Sequence, residues 1–360
     1  MKMIFVMGFV TGEVAGSNMT GAAAAGGVGS PDPVPTGLLE LKGVVPVQSL
    51  SMHICLGTTP TVQQTMSFER VTPDEVNRAV ETRRGASGKP INVARVLNSL
   101  GEKVMLCIPV GGDTGRFIRA DLDALGIAHD CVESKAPTRT CVTVVDRSIK
   151  TATELVEESG PLSANESAQM LAKFQKHLPG CRMAVLSGTL APGVSEDFYA
   201  ECCQAAGKLG VPVILDARGN ALTRALASRP LVVKPNRHEW AGMLGKKIDD
   251  DGSLREAMIG LHRQGAQWVI ITMGRAGAVA SDGASFWKIP AIEIEAVSAI
   301  GSGDAFSAGL ASGIAAGGDV LQACRLATAC AAANALIVGA GILRVEDVRR
   351  LEPLARVERW

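Results

Sequence analysis

Gly301-Ser302-Gly303-Asp304-Ala305-Phe306-Ser307-Ala308-Gly309-Leu310 joins a segment of alternating apolar residues, 291–296, to a run of small residues with a helical pattern. A strand, a glycine-rich turn and a helix in that order form the repeating unit of an α/β protein. Backbone N–H groups at such a helix start favour an anion such as phosphate. Asp304 stands directly behind the turn, placed to take a proton from a group that attacks the anion. An anion cradle with an adjacent carboxylate is the minimum equipment for phosphoryl transfer to a hydroxyl. The plainer alternative is a glycine turn with an acid in the first helical turn, where the helix dipole favours it.

The remaining chain repeats the same rhythm. Short apolar runs at 104–110, 183–187, 211–216, 231–234 and 269–273 alternate with helical patterns at 92–100, 115–125, 196–209 and 253–264. This predicts an α/β fold with a doubly wound, mostly parallel sheet flanked by helices. Its ligands would bind outside the carboxyl ends of the strands. Segments near 61–71, 82–89 and 131–157 break the rhythm and read as β-ribbons, a small β-sheet lid on the α/β body. Residues 1–51 differ from all that follows: 21–35 is Gly, Ala, Ser and Pro without apolar periodicity. They read as a disordered tail, or as sequence ahead of a true start at Met52, with 52–360 as the folded domain.

Composition narrows the function. Of 360 residues 47% are hydrophobic and 20% charged, enough for a large core. Lys+Arg and Asp+Glu balance at 36 each, so there is no electrostatic footprint for nucleic acid or an anionic membrane surface. No stretch approaches the ~20 apolar residues of a membrane span. The nine cysteines are scattered, without C-x-x-C or zinc-type spacing, and read as reduced core thiols of a cytoplasmic protein. A small-molecule partner remains.

Three further motifs carry chemistry. Gly88-Lys89-Pro90-Ile91-Asn92-Val93-Ala94-Arg95 puts a lysine and an amide at a helix start, where they can reach phosphate and sugar hydroxyls. Asn236 and Glu239, three residues apart after the apolar Leu231-Val232-Val233, share one face of a starting helix. They suit a hydrated Mg²⁺ and its phosphates, or equally a helix cap with a first-turn acid. Thr272-Met273-Gly274-Arg275-Ala276-Gly277 turns a strand end through two glycines and can be a simple hairpin. A dinucleotide fingerprint is excluded because its third glycine position is Phe306, and a Walker loop because Gly88-Lys89 is followed by Pro90.

In order and spacing, the four motifs resemble the ribokinase-like (PfkB-type) carbohydrate kinases over about 52–348. That family has an early G-x-[G/A/P]-x-N-x-A, a central N-x-x-E, a T-x-G-x-x-G turn and a late G-[A/S]-G-D. Several runs are most similar to the 1-phosphofructokinase and tagatose-6-phosphate kinase branch. They are Gly88-Lys89 with Ile91-Asn92-Val93-Ala94-Arg95, Thr138-Arg139-Thr140, Thr153-Glu154-Leu155 and Ser187-Gly188-Thr189-Leu190-Ala191-Pro192-Gly193.

The resemblance implies ATP- and Mg²⁺-dependent phosphorylation of a hexose phosphate such as fructose 1-phosphate or tagatose 6-phosphate. Asp304 would be the base, and the N–H groups of Gly301, Ser302 and Gly303 would stabilise the transferred γ-phosphoryl group. Gln63, Gly88, Lys89, Asn92, Arg139, Ser187 and Gly188 would hold the sugar, with Lys89 and Arg139 clamping the phosphate it already carries. Asn236 and Glu239 would organise Mg²⁺, largely through water, while Thr272, Gly274, Gly277 and Asn334 surround the nucleotide. K⁺ is a further candidate cofactor at the anion loop. The ribbons would close over the sugar and form a homodimer contact.

Two departures bear on the sugar. Gln63 stands where the family has an aspartate, and the branch's G-G-K-G becomes Ser87-Gly88-Lys89-Pro90. The rival readings are therefore a kinase for an unphosphorylated sugar or nucleoside, and a non-catalytic sugar- or nucleotide-binding relative.

Overall fold

Parallel strands covered on both faces need apolar side chains on both, and these strands have them. Along Cys181–Ser187 and Val213–Asp216, Met183, Val185 and Ile214 belong to one core, while Ala184, Leu186, Val213 and Leu215 belong to a second. The chain is described by a computed structural model over residues 52–360; the expectations about 1–51 fall outside the described residues.

The main sheet has ten strands. From one edge it runs Ala128–His129, Lys103–Cys107, Met52–Leu56, Cys181–Ser187, Val213–Asp216, Val232–Val233 and Trp268–Thr272, every pairing parallel. Ala278–Ser281, Phe286–Ile289 and Glu358–Arg359 then extend it antiparallel. Helices Lys89–Ser99, Ser302–Ala315 and Val320–Ala335 fill the first core. Helices Ala164–His177, Phe198–Lys208 and Asp251–Gln264 fill the second. The small residues after Asp304 have a packing role: a Cβ on Gly309 would lie 2.8 Å from the Ala327 Cα and 2.9 Å from the Cys330 sulfur.

A separate four-stranded sheet is ordered Glu81–Ser87, Thr61–Phe68, Thr140–Asp146, Thr151–Leu155. Its second and third strands are parallel, Val62 opposite Thr140, and the outer strands are antiparallel to their neighbours.

The structure corrects two sequence expectations. Residues 291–296 form no strand, although Ile292 and Ile294 alternate; both side chains pack on the first core without a pairing partner. The ribbon segment expected near 131–157 joins the small sheet only from Thr140, because Val132–Glu133 pairs with Pro109–Val110 instead. All nine cysteines are buried and unpaired, and burial pushes the Cys203 thiol up to about 12. No described helix is long and apolar enough to cross a membrane.

Candidate active site

Two helices and three strand ends converge. Ser187 and Asp216 are register partners at the carboxyl ends of adjacent strands, and Lys234 follows Val233 at the next. The Lys89–Ser99 helix starts beside them, with Gly88 as its N-cap and Pro90 in its first turn, where a missing N–H costs nothing. Lys89 and Asn92 therefore stand on the first turn.

The Ser302–Ala315 helix starts at Gly301, which has φ +80°. A Cβ there would lie 2.5 Å from the Ala340 Cα and 2.7 Å from the Gly341 nitrogen. No side chain caps this helix. The Ser302 N–H donates to the Ala299 carbonyl at 3.2 Å, while those of Gly301, Gly303 and Asp304 have no acceptor among the described residues. This corrects the amide set expected of the turn: Ser302 is engaged inward, and the Asp304 N–H is open in its place.

Asp304 is 7% exposed and accepts a 2.7 Å hydrogen bond from Asn92 Nδ2. Ser87 donates to Asn92 Oδ1 at 2.9 Å, which fixes the amide with its NH₂ toward Asp304. Burial raises the Asp304 carboxyl to about 6, with the Asp216 charge adding to the rise and Lys89, Asn92 and Lys234 opposing it.

Asp216 lies at the centre. Its Oδ1 receives Lys89 Nζ at 2.8 Å, its Oδ2 receives Lys234 Nζ at 2.9 Å, and Ser307 Oγ donates to Oδ2 at 3.4 Å. Burial alone would raise this carboxyl; the two lysines outweigh it and hold it at about 2. Burial likewise opposes the Lys89 charge, but Asp216, Glu239 and Asp304 raise its pKa above the ordinary value.

Asn236 and Glu239 form a reciprocal capping box on the Arg237–Leu244 helix: Asn236 Oδ1 accepts from the Glu239 N–H at 2.8 Å, and Glu239 Oε2 from the Asn236 N–H at 3.3 Å. Glu239 Oε1 has no hydrogen bond among the described residues and lies 3.8 Å from Lys89 Nζ. The Thr272 N–H donates to the Pro235 carbonyl at 3.2 Å, joining this cap to the next strand end. Beyond it, Gly274 to Ala276 make a 3₁₀ turn, and Met273 and Gly277 pair across a hairpin.

An uncapped helix start, a buried carboxylate behind it and an N-x-x-E cap on a neighbouring strand end define a recognisable arrangement. The family model described as pfkB family carbohydrate kinase matches residues 54–346. The chain belongs to that family. It is a carbohydrate kinase, a phosphotransferase with an alcohol group as acceptor.

Solved structures agree on the fold. Phosphofructokinase-2 from Escherichia coli, in complex with potassium, matches at 24% identity and TM-score 0.77, over 84% of this chain and 98% of that one. A possible 1-phosphofructokinase from Thermotoga maritima matches at 23% and 0.78, over 86% and 99%. Arabidopsis thaliana ribokinase, complexed with ribose and ATP, matches at 19% and 0.65, over 84% and 98%.

Within this PfkB-family site, several anticipated residues have other partners. Lys89 and Arg139 do not share one: Lys89 is held by Asp216, whereas Arg139 donates to the carbonyls of Thr59 and Glu157 at 3.2 and 3.0 Å. Arg139 Nε is buried without a partner, as is Ser159 Oγ, and both residues line one small cavity with Thr58 and Ser134. Gln63 Nε2 donates to Thr143 within the small sheet at 2.9 Å. Ser187 is fully buried; its carbonyl accepts from the Tyr199 hydroxyl at 3.1 Å, and its own hydroxyl has no partner among the described residues. Gly188, buried beside it, faces the Thr59 hydroxyl and the Lys89 Cβ. Asn334 is also fully buried; it donates to the Ile300 carbonyl at 2.8 Å and accepts from the Ile342 N–H at 3.2 Å. It therefore braces the segment entering Gly301 rather than facing a nucleotide.

Sequence reasoning assigned neither Asp216 nor Lys234 to the site. The signal was present: each is a charged residue ending an apolar strand segment, Val213-Ile214-Leu215 and Leu231-Val232-Val233. Among the described residues no three Asp, Glu, His or Cys side chains form a metal cage. The open Glu239 Oε1 fits Mg²⁺ reached through water, the usual habit of a cation carried by nucleotide phosphates.

Proposed function

We propose that this PfkB-family kinase transfers the γ-phosphoryl group of ATP to a hydroxyl of a hexose phosphate, giving a bisphosphate. The observation that carries the reading is the buried Asp304 carboxylate, aimed by Asn92 and adjoining the open amides of the Ser302–Ala315 helix start. A carboxyl titrating near 6 is ionised at neutral pH and basic enough to take the acceptor hydroxyl's proton as it attacks. The Gly301, Gly303 and Asp304 amides, with the helix dipole behind them, stabilise charge that grows on the transferred group.

Glu239 and Asn236 act at the phosphate tail; Mg²⁺, when bound, neutralises charge on the β- and γ-phosphates. Gly88, Asn92 and Gly188 border the sugar, with Gln63 above it in the small sheet, while Thr272, Gly274 and Gly277 turn beside the nucleotide. Arg139, half-buried beside the small sheet, is the cation left for a phosphate already on the sugar; its buried Nε borders a cavity of about 20 Å³, room for a single water. We extend the reading to K⁺ as a stimulating cation, checked by replacing KCl with NaCl at constant ionic strength. We also extend it to a homodimer through the small sheet, whose outer strand Thr151–Leu155 is exposed along its whole length. Light scattering would check the dimer.

One observation favours the rival reading, a neutral sugar or nucleoside as acceptor. Lys89 already has Asp216 and Glu239 as partners, which leaves Arg139 alone for the substrate's phosphate. A panel of sugars, nucleosides and hexose monophosphates with MgATP, read by ADP release, separates the two. Activity confined to hexose monophosphates supports the proposal, activity on neutral acceptors favours the rival, and silence across the panel overturns both.

A further inference from the structure

The Asp216 cluster joins three elements around one carboxylate. Lys89 comes from the Lys89–Ser99 helix, Lys234 from the end of the neighbouring strand, and Ser307 from the anion helix. The same hydroxyl lies 3.1 Å from the Gly303 carbonyl, so its one hydrogen is shared between that carbonyl and the carboxylate, which sets the carboxylate beside the turn. Lys234 is 3% exposed, and its Nζ lies 3.7 Å from where a Cβ on Gly303 would stand, at the threshold of the anion loop.

Asp304, in contrast, has no ion pair among the described residues, where the two lysines go to Asp216. Among the described residues its only hydrogen-bond partner is Asn92, although the half-buried Lys89 and the buried Lys234 ammonium groups stand close enough to influence its charge. A lysine bound directly to Asp304 would weaken it as a base and crowd the hydroxyl it must meet. Asp216 takes both lysines. The Asp216–Lys234 pair is buried, and buried pairs break even, or worse, as stabilising devices, so the arrangement is better explained as a placement of charge.

We infer that Asp216 is a positioning residue for phosphoryl transfer: it holds Lys89 and Lys234 at the edge of the anion loop and away from Asp304. The inference rests on Asp304 being the base. The charged groups that face Asp304 are Lys89 from the sugar-side helix, Asp216 from its strand end and Lys234 from the next strand end. Glu239, from the Arg237–Leu244 helix, reaches the cluster through Lys89.

The signs of these charges give the test, a profile of kcat against pH for three variants. Asp216→Asn removes a negative neighbour and releases two ammonium groups toward Asp304. It should lower kcat by about 100-fold and move the acidic limb down by about one pH unit. Lys234→Gln removes a positive neighbour, and its limb should move up. Loss of packing alone would lower kcat without moving either limb in opposite directions. If Asp216→Asn fails to fold by circular dichroism, Asp216→Glu replaces it: charge is retained, and the limb should stay where the parent has it. Limbs that stay put in both Asp216→Asn and Lys234→Gln, or move the same way, overturn the inference. So does a moved limb in a folded Asp216→Glu. Asp304→Asn separates the two failures. An active Asp304→Asn enzyme overturns the assignment of the base and the positioning claim with it. An inactive one beside unmoved limbs overturns only the positioning claim.

Discussion

Gly301 and Gly303 stand two residues apart in the same turn, yet alanine should affect them differently. At Gly301 the backbone has φ +80°, which costs a residue with a Cβ about 1–2 kcal/mol. The added carbon would also stand 2.5 Å from the Ala340 Cα, so the segment behind it must retreat. That segment is held by Arg95 donating to the Ala340 carbonyl at 3.0 Å and by the Ile342 N–H donating to Asn334 at 3.2 Å. Losing or stretching two hydrogen bonds adds about 1 kcal/mol each. Gly301→Ala should therefore destabilise the fold by about 3–4 kcal/mol and lower Tm by roughly 6–12 °C. At Gly303 the nearest atom to a new Cβ is Lys234 Nζ at 3.7 Å, ordinary contact at the end of a side chain. Gly303→Ala lies in the first turn of a helix, where alanine gains rather than loses, so its Tm should match or exceed the parent's. Its methyl group nonetheless narrows the approach to the anion loop, and turnover should fall by at least about tenfold. Thermal unfolding followed by circular dichroism, alongside ADP release, reads both effects. Equal Tm losses in the two variants, or a Gly301→Ala protein as stable as the parent, would refute the reasoning.

Other perturbations have equally definite outcomes. Because burial lifts Asp304 to about 6, the folded protein gives up stability as pH rises from about 4 to 6, where the unfolded chain has ionised and the folded chain has not. Below that window the cost is absent, and above it the cost is complete, on the order of 3 kcal/mol. Asp304→Asn should therefore raise Tm at pH 7.5 while leaving Tm at pH 4 nearly unchanged; a lower Tm at pH 7.5 would contradict the sign. Arg139→Ala should raise KM for a hexose monophosphate by about 10–100-fold with KM for ATP unchanged, and an unchanged sugar KM would remove Arg139 from the substrate site. Arg95 also donates to the Ala86 carbonyl and so ties the small sheet to the segment behind Gly301. Arg95→Ala should cost about 1–3 kcal/mol in urea unfolding, and a loss below about 0.5 kcal/mol would show the tie to be idle.

Much of this was legible in the sequence because the period of the apolar residues matches the elements they form. Runs such as Val213-Ile214-Leu215, apolar at every position, announce strands covered on both faces. Gly88-Lys89-Pro90 and Asn236–Glu239 announce helix starts through backbone chemistry that acts within a few residues. Residues 291–296 misled because alternation records only which side chains are buried, not whether the backbone finds a partner strand. Ser187 and Asn334 were assigned to ligands because polar residues near motifs read as contacts. Both are fully buried: Asn334 spends its amide on the Ile300 carbonyl and the Ile342 N–H, while the Ser187 hydroxyl has no partner among the described residues. Asp216 and Lys89 are 127 positions apart, and no local pattern pairs them. The pairing follows only from the order in which the strands lie side by side.

The most direct test of the account is the turnover of Asp304→Asn with MgATP and the best hexose monophosphate from the acceptor panel, measured beside ATP affinity in the same preparation. Asparagine keeps the shape and the contact with Asn92 but cannot take the acceptor's proton. The account predicts a fall in kcat of about 1,000-fold or more with ATP affinity within about threefold of the parent. Turnover within about tenfold of the parent would contradict it, because a kinase that still works without the carboxylate does not use Asp304 as its base.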